Sequence, residues 1–327
     1  MIADDSSSSS SFWTVGLLGL LLMGGLCYLF YPAFVAREGR GRVLPQATNI
    51  GGTKSNTEDV LLSIIIPAFN EELRLPIMLE DAFHYLTSPS CPALKQLGKG
   101  AVEWIVVDDG SSDQTGRAFR RYVEEKPPSH NMCYKLITLP RNLGKGAAVQ
   151  SGMLAATGQF CLYVDADGAT SFGPGLEALT HQLMSGKEFV FMGSRAHLQQ
   201  ERSFLRRFLA LAFRVLLTIT LGPAAQHIRD TQCGFKLISR NAAQRIFRTL
   251  HLQRWAFDIE VLYLAVHLQV TVKEEVVPWH EVEGSKLNTS IWNLALVSLS
   301  MLRDMICVRL CYQLGIWSFD NDVKKHR

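Results

Sequence analysis

Four short, β-rich apolar runs constrain this chain more than any other feature: Val60 to Ile66, Trp104 to Val107, Tyr134 to Leu139 and Phe160 to Val164. Each reads as a strand, and the stretches between them have helical character. That alternation predicts a mostly parallel sheet flanked by helices, an α/β domain whose ligands would gather at the carboxyl ends of the strands. No internal repeat interrupts the pattern.

The chain has 327 residues, 47% of them hydrophobic, enough for one large α/β domain or two small ones with apolar sequence left for a membrane. A net charge of +3 from 33 basic and 30 acidic residues is too balanced for a nucleic-acid binder. The 7 cysteines include no CxxC pair, which points to a reducing compartment rather than to zinc or redox chemistry. Cys307 and Cys311 lie one helical turn apart, as a ligand pair, a lipidation site or simple apolar packing would place them.

From Phe12 to Ala36 no residue is charged, about 25 positions where roughly 20 suffice to cross a bilayer as a helix. Residues 12–36 are therefore predicted to be a retained transmembrane anchor, because Asp4, Asp5 and a serine tract stand where a cleaved signal would be basic. Arg37, Arg40 and Arg42 follow the span and no basic residue precedes it. The positive-inside rule then makes residues 1–11 a lumenal tail and puts the rest in the cytosol. Lys324, Lys325, His326 and Arg327 resemble a dilysine retrieval signal, or form a solvated basic tail. On this topology the sequon Asn288-Thr289-Ser290 is not glycosylated.

Residues 37–59 read as a basic and polar linker, and the folded domain as 60–280. Within it, residues 203–221 interleave Phe204, Leu205, Phe208, Leu209, Phe213 and Leu216 with Arg202, Arg206, Arg207 and Arg214. This is either a basic helix lying on an anionic membrane surface or a buried helix with solvated arginines. Leu287 to Leu302 is uncharged but short for a crossing, so residues 281–327 are expected to form a membrane-associated helix and basic tail.

Four motifs carry chemistry. Ser63 to Glu72 is a strand ending in a proline turn, with a helix expected near Glu71. Val106 to Asp113 delivers Asp108 and Asp109 to a strand's carboxyl edge. Asp108 is the candidate for the base or ribose, and Ser111, Ser112 and Asp113 read as helix caps. Arg141 to Ala148 puts glycines and Lys145 at a helix start, where free N–H groups and the dipole favour phosphate; the spacing is not that of a Walker A loop. Phe160 to Gly168 is an apolar strand ending in Asp165 and Asp167. Hard divalent cations want such oxygens, and Mg²⁺ is commonly held by one or two carboxylates completed by phosphates. Asp258 and Glu260, in Trp255 to Glu260, could face a substrate or merely cap a helix.

In this order and spacing the motifs resemble glycosyltransferase family 2, with its GT-A nucleotide-sugar-binding fold, over residues 60 to 280. Within that family the chain looks like the polyprenyl-phosphate hexosyltransferases. The string Asp165 to Phe172 is similar to that of the glucosyl-transferring members, whereas mannosyl-transferring relatives usually have Leu where Gly168 stands. The resemblance implies transfer of glucose from UDP-glucose to dolichyl phosphate, with inversion, at the cytosolic face of the endoplasmic reticulum membrane. By motif, Pro67, Ala68, Asn70, Glu71 and Asp108 would contact uridine, and Arg141 and Lys145 the nucleotide or its phosphates. Asp165 and Asp167 would hold Mg²⁺ or Mn²⁺ on the diphosphate. Arg195, Arg229 and Lys236 fall near the acceptor phosphate, with Asp230 orienting the acceptor, so that Asp167, Arg195 and Asp230 are the catalytic candidates. Two other readings stay open: a different UDP-hexose or GDP-mannose as donor, and a membrane-anchored binding subunit without turnover. The sequence does not fix an oligomeric state, and a homo-oligomer is compatible with it.

Overall fold

The computed structural model describes residues 22–36, 46–52, 60–126, 131–183, 186–195, 215, 217–218, 220–222, 227–282 and 291–319. A first helix, α1, covers 22–36. There follow β1 (Thr48–Gly52), β2 (Val60–Ala68), α2 (Leu75–Thr87), α3 (Pro92–Leu97), β3 (Ala101–Asp108), α4 (Thr115–Glu124), β4 (Met132–Thr138) and α5 (Lys145–Ala155). The second half contributes β5 (Phe160–Val164), α6 (Phe172–Thr180), β6 (Phe189–Ser194), β7 (Phe235–Ser239), α7 (Arg240–Thr249), α8 (Phe257–His267), β8 (Thr271–Val276) and α9 (Ile291–Gln313).

All the strands join one sheet in the order β1-β4-β3-β2-β5-β7-β6-β8. The four runs singled out in the sequence are adjacent and parallel, β4-β3-β2-β5; Ala68 lies opposite Asp108 and Asp108 opposite Thr138, so β4, β3 and β2 finish level, with the shorter β5 ending beside them. Their continuous apolarity follows from burial on both faces. Ile65, Ile105, Val107, Ile137 and Tyr163 pack into one apolar layer with α5, α7 and α8, while Ile64, Ile66, Trp104, Val106, Leu136 and Leu162 pack into the other with α2, α4 and α6. Each such side chain contributes about 1.5–3 kcal/mol of burial, which pins the strand register and with it the carboxylates at the strand ends.

The rest of the sheet departs from the mostly parallel expectation. Within the predicted linker, Thr48–Gly52 forms an edge strand antiparallel to β4. Strand β7 runs antiparallel between β5 and β6, and β8 closes the far edge parallel to β6. The helix expected near Glu71 starts at Leu75, with proline in its first turn. Proline favours that position, and the Glu71 carboxylate is engaged by Arg74 instead of opening a helix.

The termini are described in part. Among the described residues no helix is long and apolar enough to cross a membrane. Of the predicted 12–36 span, residues 12–21 lie outside the described residues, as do the 1–11 tail, Arg37, Arg40 and Arg42, the arginines at 202–214, the sequon at 288–290 and the basic tail at 324–327. In α1, Phe30, Ala33 and Ala36 pack on the core, and the Arg303 guanidinium of α9 lies over the rings of Tyr28 and Tyr31 at 5.0 and 5.5 Å. One side of the C-terminal helix packs on the domain. Met305, Cys307, Val308, Cys311 and Tyr312 of α9 are buried in the core, which makes apolar packing the role of the two cysteines.

Glu260 fastens that helix. Its buried carboxylate accepts from the amides of His251 (3.0 Å) and Leu252 (2.7 Å) and from the Tyr312 hydroxyl (2.9 Å) of α9. It therefore neither faces a substrate nor caps its own helix. Glu260→Ala removes the buried acceptor that these donors share and the tie between α8 and α9, and should cost about 3–5 kcal/mol, read as an earlier midpoint in urea denaturation.

Candidate active site

The adjacent ends of β2, β3 and β5 carry the sequence candidates to one edge of the sheet. Pro67 and Ala68 close β2, and the Ala68 carbonyl accepts from Asp109 N at 2.8 Å. Asn70 adopts φ +53°, a left-handed turn that asparagine tolerates. Its Oδ1 accepts from Ser112 N at 2.8 Å, its own amide donates to Ser111 Oγ at 2.9 Å, and Glu71 N donates to Thr115 Oγ1 at 2.8 Å. Ser111 and Ser112 thus tie the 68–72 turn to the β3–α4 loop and do not cap α4 as expected. Asp113 does both jobs, accepting from Thr115 N at 2.9 Å and Glu72 N at 3.1 Å. Asp108 is buried, with Oδ1 on Ser111 N at 2.9 Å.

The helix-start reading of 141–148 needs correction. The Asp109 carboxylate accepts from Leu143 N (2.7 Å) and Gly144 N (2.9 Å), and the Gln253 carbonyl accepts from Ala147 N (3.0 Å). Protein acceptors thus take amides that a phosphate was expected to use. Burial raises the Asp109 carboxyl, and the two amides pull against it. What α5 offers the site is the Lys145 ammonium, 2.7 Å from Asp165 Oδ1. Burial works against that charge, but Asp165, Asp258 and Asp167 outweigh it and hold Lys145 above the usual lysine value. Arg141 is exposed at the rim, where its backbone packs on Gly110.

Asp165 is held from two sides. Besides Lys145 it accepts from the Tyr163 hydroxyl at 3.0 Å, and its amide donates to the Gly234 carbonyl at 2.9 Å. A methyl group at Gly234 would sit 1.9 Å from Asp165 Oδ2, so glycine there lets the carboxylate lie against β7. Asp167 is half-buried and accepts from Ala169 N at 3.0 Å. Burial and then the Asp165 charge push its carboxyl up.

On the other side, Asp230 and Arg195 form a two-pronged pair, Nε to Oδ2 at 2.7 Å and Nη2 to Oδ1 at 2.9 Å, and Arg195 N adds a third bond to Oδ2 at 3.0 Å. Burial opposes ionisation of Asp230, but the Arg195 guanidinium more than compensates and holds its carboxyl below the usual range. The amides of Arg229 and Asp230 both donate to Glu274 of β8, at 2.7 and 2.8 Å. The Arg229 side chain is exposed. Lys236 is not at the open face: it is 1% exposed, with Nζ on Asp258 Oδ1 at 2.8 Å and on the Cys233 carbonyl. Asp258 is therefore an internal counter-ion.

Sequence reasoning missed Tyr163, Gly234 and Glu274 and gave Asp109 no part in holding the backbone at 143–144. Tyr163 lies inside the strand that ends before Asp165, but its role and that of Gly234 depend on β7 pairing beside β5, with Lys236 opposite Tyr163 and Phe235 opposite Val164. Glu274 stands in an ordinary polar strand with no local signal.

The family described as glycosyl transferase family 2 matches residues 63–247, the stretch that builds β2 through most of α7 and so both halves of this site. The chain belongs to glycosyltransferase family 2. Curated relatives extend the likeness within this family. A dolichyl-phosphate beta-glucosyltransferase of Dictyostelium discoideum is 40% identical, covering 86% of this chain and 83% of its own length. Those of Mus musculus (42% identical, 78% of this chain and 77% of the relative) and Saccharomyces cerevisiae (33% identical, 94% of each) carry the same name. Among solved structures, glucosyl-3-phosphoglycerate synthase from Mycobacterium tuberculosis in complex with phosphoglyceric acid shares the fold. Its TM-score is 0.52 at 16% identity, covering 79% of this chain and 86% of that one. Its complex with Mn²⁺, UDP and glucosyl-3-phosphoglycerate gives 0.50 at 15% identity, covering 81% and 86%. The chain's own transferase domain is a mixed α/β sheet with its candidate site at the strand ends.

Proposed function

We propose that this family 2 transferase moves glucose from UDP-glucose to dolichyl phosphate, giving dolichyl β-D-glucosyl phosphate. The observation that carries the reading is the kinship, at 33–42% identity over most of both chains, with enzymes named for that reaction. The carboxylates suit a divalent ion. Asp165 and Asp167 present hard oxygens at one strand end, where burial and then the Asp165 charge raise the Asp167 carboxyl, an imbalance that a divalent cation would offset. These two residues would hold Mg²⁺ or Mn²⁺, which when bound with the diphosphate neutralises charge developing on the departing UDP. A protein of the same fold binds Mn²⁺ together with UDP.

The remaining work falls to the chain's own groups. Lys145 adds a fixed positive charge beside Asp165. The level loops after β2 and β3 supply Asn70, Glu71 and Asp108 for the nucleoside. Arg195 and Arg229 receive the acceptor phosphate. A phosphate monoester is largely dianionic near neutrality, its second pKa being about 6, so its oxygen attacks C1 without a strong base. One displacement inverts the α-linked donor to the β product. Asp230, held ionised by Arg195, orients that guanidinium and carries no proton. Asp230→Asn should therefore lower the rate yet leave the shape of the pH–rate profile unchanged between roughly pH 5 and 8, because a carboxyl held below its usual value protonates only under that window. An acid limb that disappears in the variant would reassign Asp230 as a proton carrier.

The charge-free run at 12–36 and the arginines after it support a single-pass anchor in the endoplasmic reticulum membrane with the catalytic domain in the cytosol. The decisive assay incubates purified full-length protein and Mn²⁺ or Mg²⁺ with labelled UDP-glucose, or in parallel GDP-mannose, and dolichyl phosphate. Label entering lipid from UDP-glucose alone is expected; lipid labelled only from GDP-mannose would sink the glucosyl reading. Protease protection in sealed microsomes, expected to spare only the N-terminal tail, tests the orientation.

A further inference from the structure

The chain just beyond β8 connects the two halves of the site. Val277 N donates to the Ser194 carbonyl at 3.1 Å, next to Arg195. Two residues on, the chain pairs with the loop that follows the carboxylate pair: Ser171 N donates to the Pro278 carbonyl at 3.1 Å, His280 N to the Ala169 carbonyl at 2.9 Å, and Thr170 and Trp279 form a bridge. Ala169 is the residue whose amide Asp167 holds. The Trp279 ring meanwhile lies 5.7 Å from the Arg195 guanidinium carbon, a cation–π arrangement. A continuous chain of contacts thus runs from Asp167 through Ala169 and the 278–280 backbone to the indole, then to Arg195 and Asp230.

We propose that Trp279 is a positioning residue for the acceptor phosphate, its ring holding the Arg195 guanidinium in register with the Asp167 loop. Asp230 fixes one edge of that guanidinium through two bonds, and the indole borders its face. The ring so restricts where Arg195 can swing, while the backbone of the same residue ties that restriction to the donor side. The proposal rests on reading the acceptor as a polyprenyl phosphate.

The test compares wild type, Trp279→Phe and Trp279→Ala as full-length proteins. It varies dolichyl phosphate and UDP-glucose separately and measures UDP binding with Mn²⁺ by calorimetry. Trp279→Ala is expected to raise KM for dolichyl phosphate about five- to tenfold, the scale of one cation–π contact, with UDP affinity changed less than twofold. Trp279→Phe, which keeps an aromatic face, should recover most of the loss. If wild type proves active only on a different lipid phosphate, the functional reading fails and the same comparison is made on that acceptor. An unchanged acceptor KM in Trp279→Ala, a parallel loss of UDP affinity, or a phenylalanine variant no better than alanine would overturn the proposal.

Discussion

Asp167→Ala is expected to reduce kcat/KM for glucosyl transfer by about 10³-fold or more while leaving the protein folded. The size follows from the several kcal/mol that a correctly held divalent ion supplies to a developing diphosphate charge, at about 1.4 kcal/mol per factor of ten. Folding should survive because among the described residues this side chain takes one hydrogen bond, from Ala169 N, and removing the carboxyl also removes a carboxylate that burial and Asp165 already disfavour. Asp165 is a poorer first target, since Lys145 and the Tyr163 hydroxyl both depend on it and would be left unpaired. The check is labelled-lipid formation alongside a thermal melt. A variant that melts like wild type and still glucosylates lipid would leave the Asp165–Asp167 pair without a part in turnover.

Gly234→Ala should have the second largest effect. The added methyl would lie 1.9 Å from Asp165 Oδ2, and neither side can yield cheaply, because the Gly234 carbonyl and the Asp165 amide are themselves hydrogen-bonded. Overpacking of this kind costs about 1–3 kcal/mol of stability. The catalytic loss should be greater: displacing a ligating carboxylate by about 1 Å reduces rate on the order of 10²-fold. Steady-state kinetics with Mn²⁺ titrated should show the required metal concentration rising as kcat falls. A wild-type metal dependence would mean that Asp165 tolerates the methyl and that the close approach is incidental.

Legibility from the sequence tracked how local each cause was. The parallel core could be read because each strand carries its own signal, an unbroken apolar run imposed by burial on both faces, and the carboxylates at the strand ends inherit their placement from that run. The positions of Asp165, Asp167 and Asp108 were legible in this way, and that of Lys145 from the glycines at the start of α5. Strand β1 escaped because Thr48-Asn49-Ile50-Gly51-Gly52 has the composition of a linker, and only the exposed edge of β4 makes a strand of it. The capping reading of Ser111 and Ser112 failed because a hydroxyl near a helix start has two available partners, and the neighbouring turn at Asn70 won. Lys236 was placed at the acceptor phosphate by the family resemblance, while its burial depends on an antiparallel partner whose pairing no local spacing encodes. Tertiary pairing decided each of these cases.

The reversed direction of β7 sets a limit on how such an enzyme can diversify. Its ladder with β5 joins the strand that ends just before Asp165 to the strand that begins just after the Asp230 loop, so the spacing between the groups proposed to hold the two substrates is fixed by hydrogen-bond register rather than by a hinge. A one-residue slip would turn Lys236 outward and carry Gly234 away from Asp165 together. Shifts toward a longer, shorter or bulkier acceptor would thus have to be made in the connecting segments around that ladder, with the distance between donor and acceptor inherited unchanged.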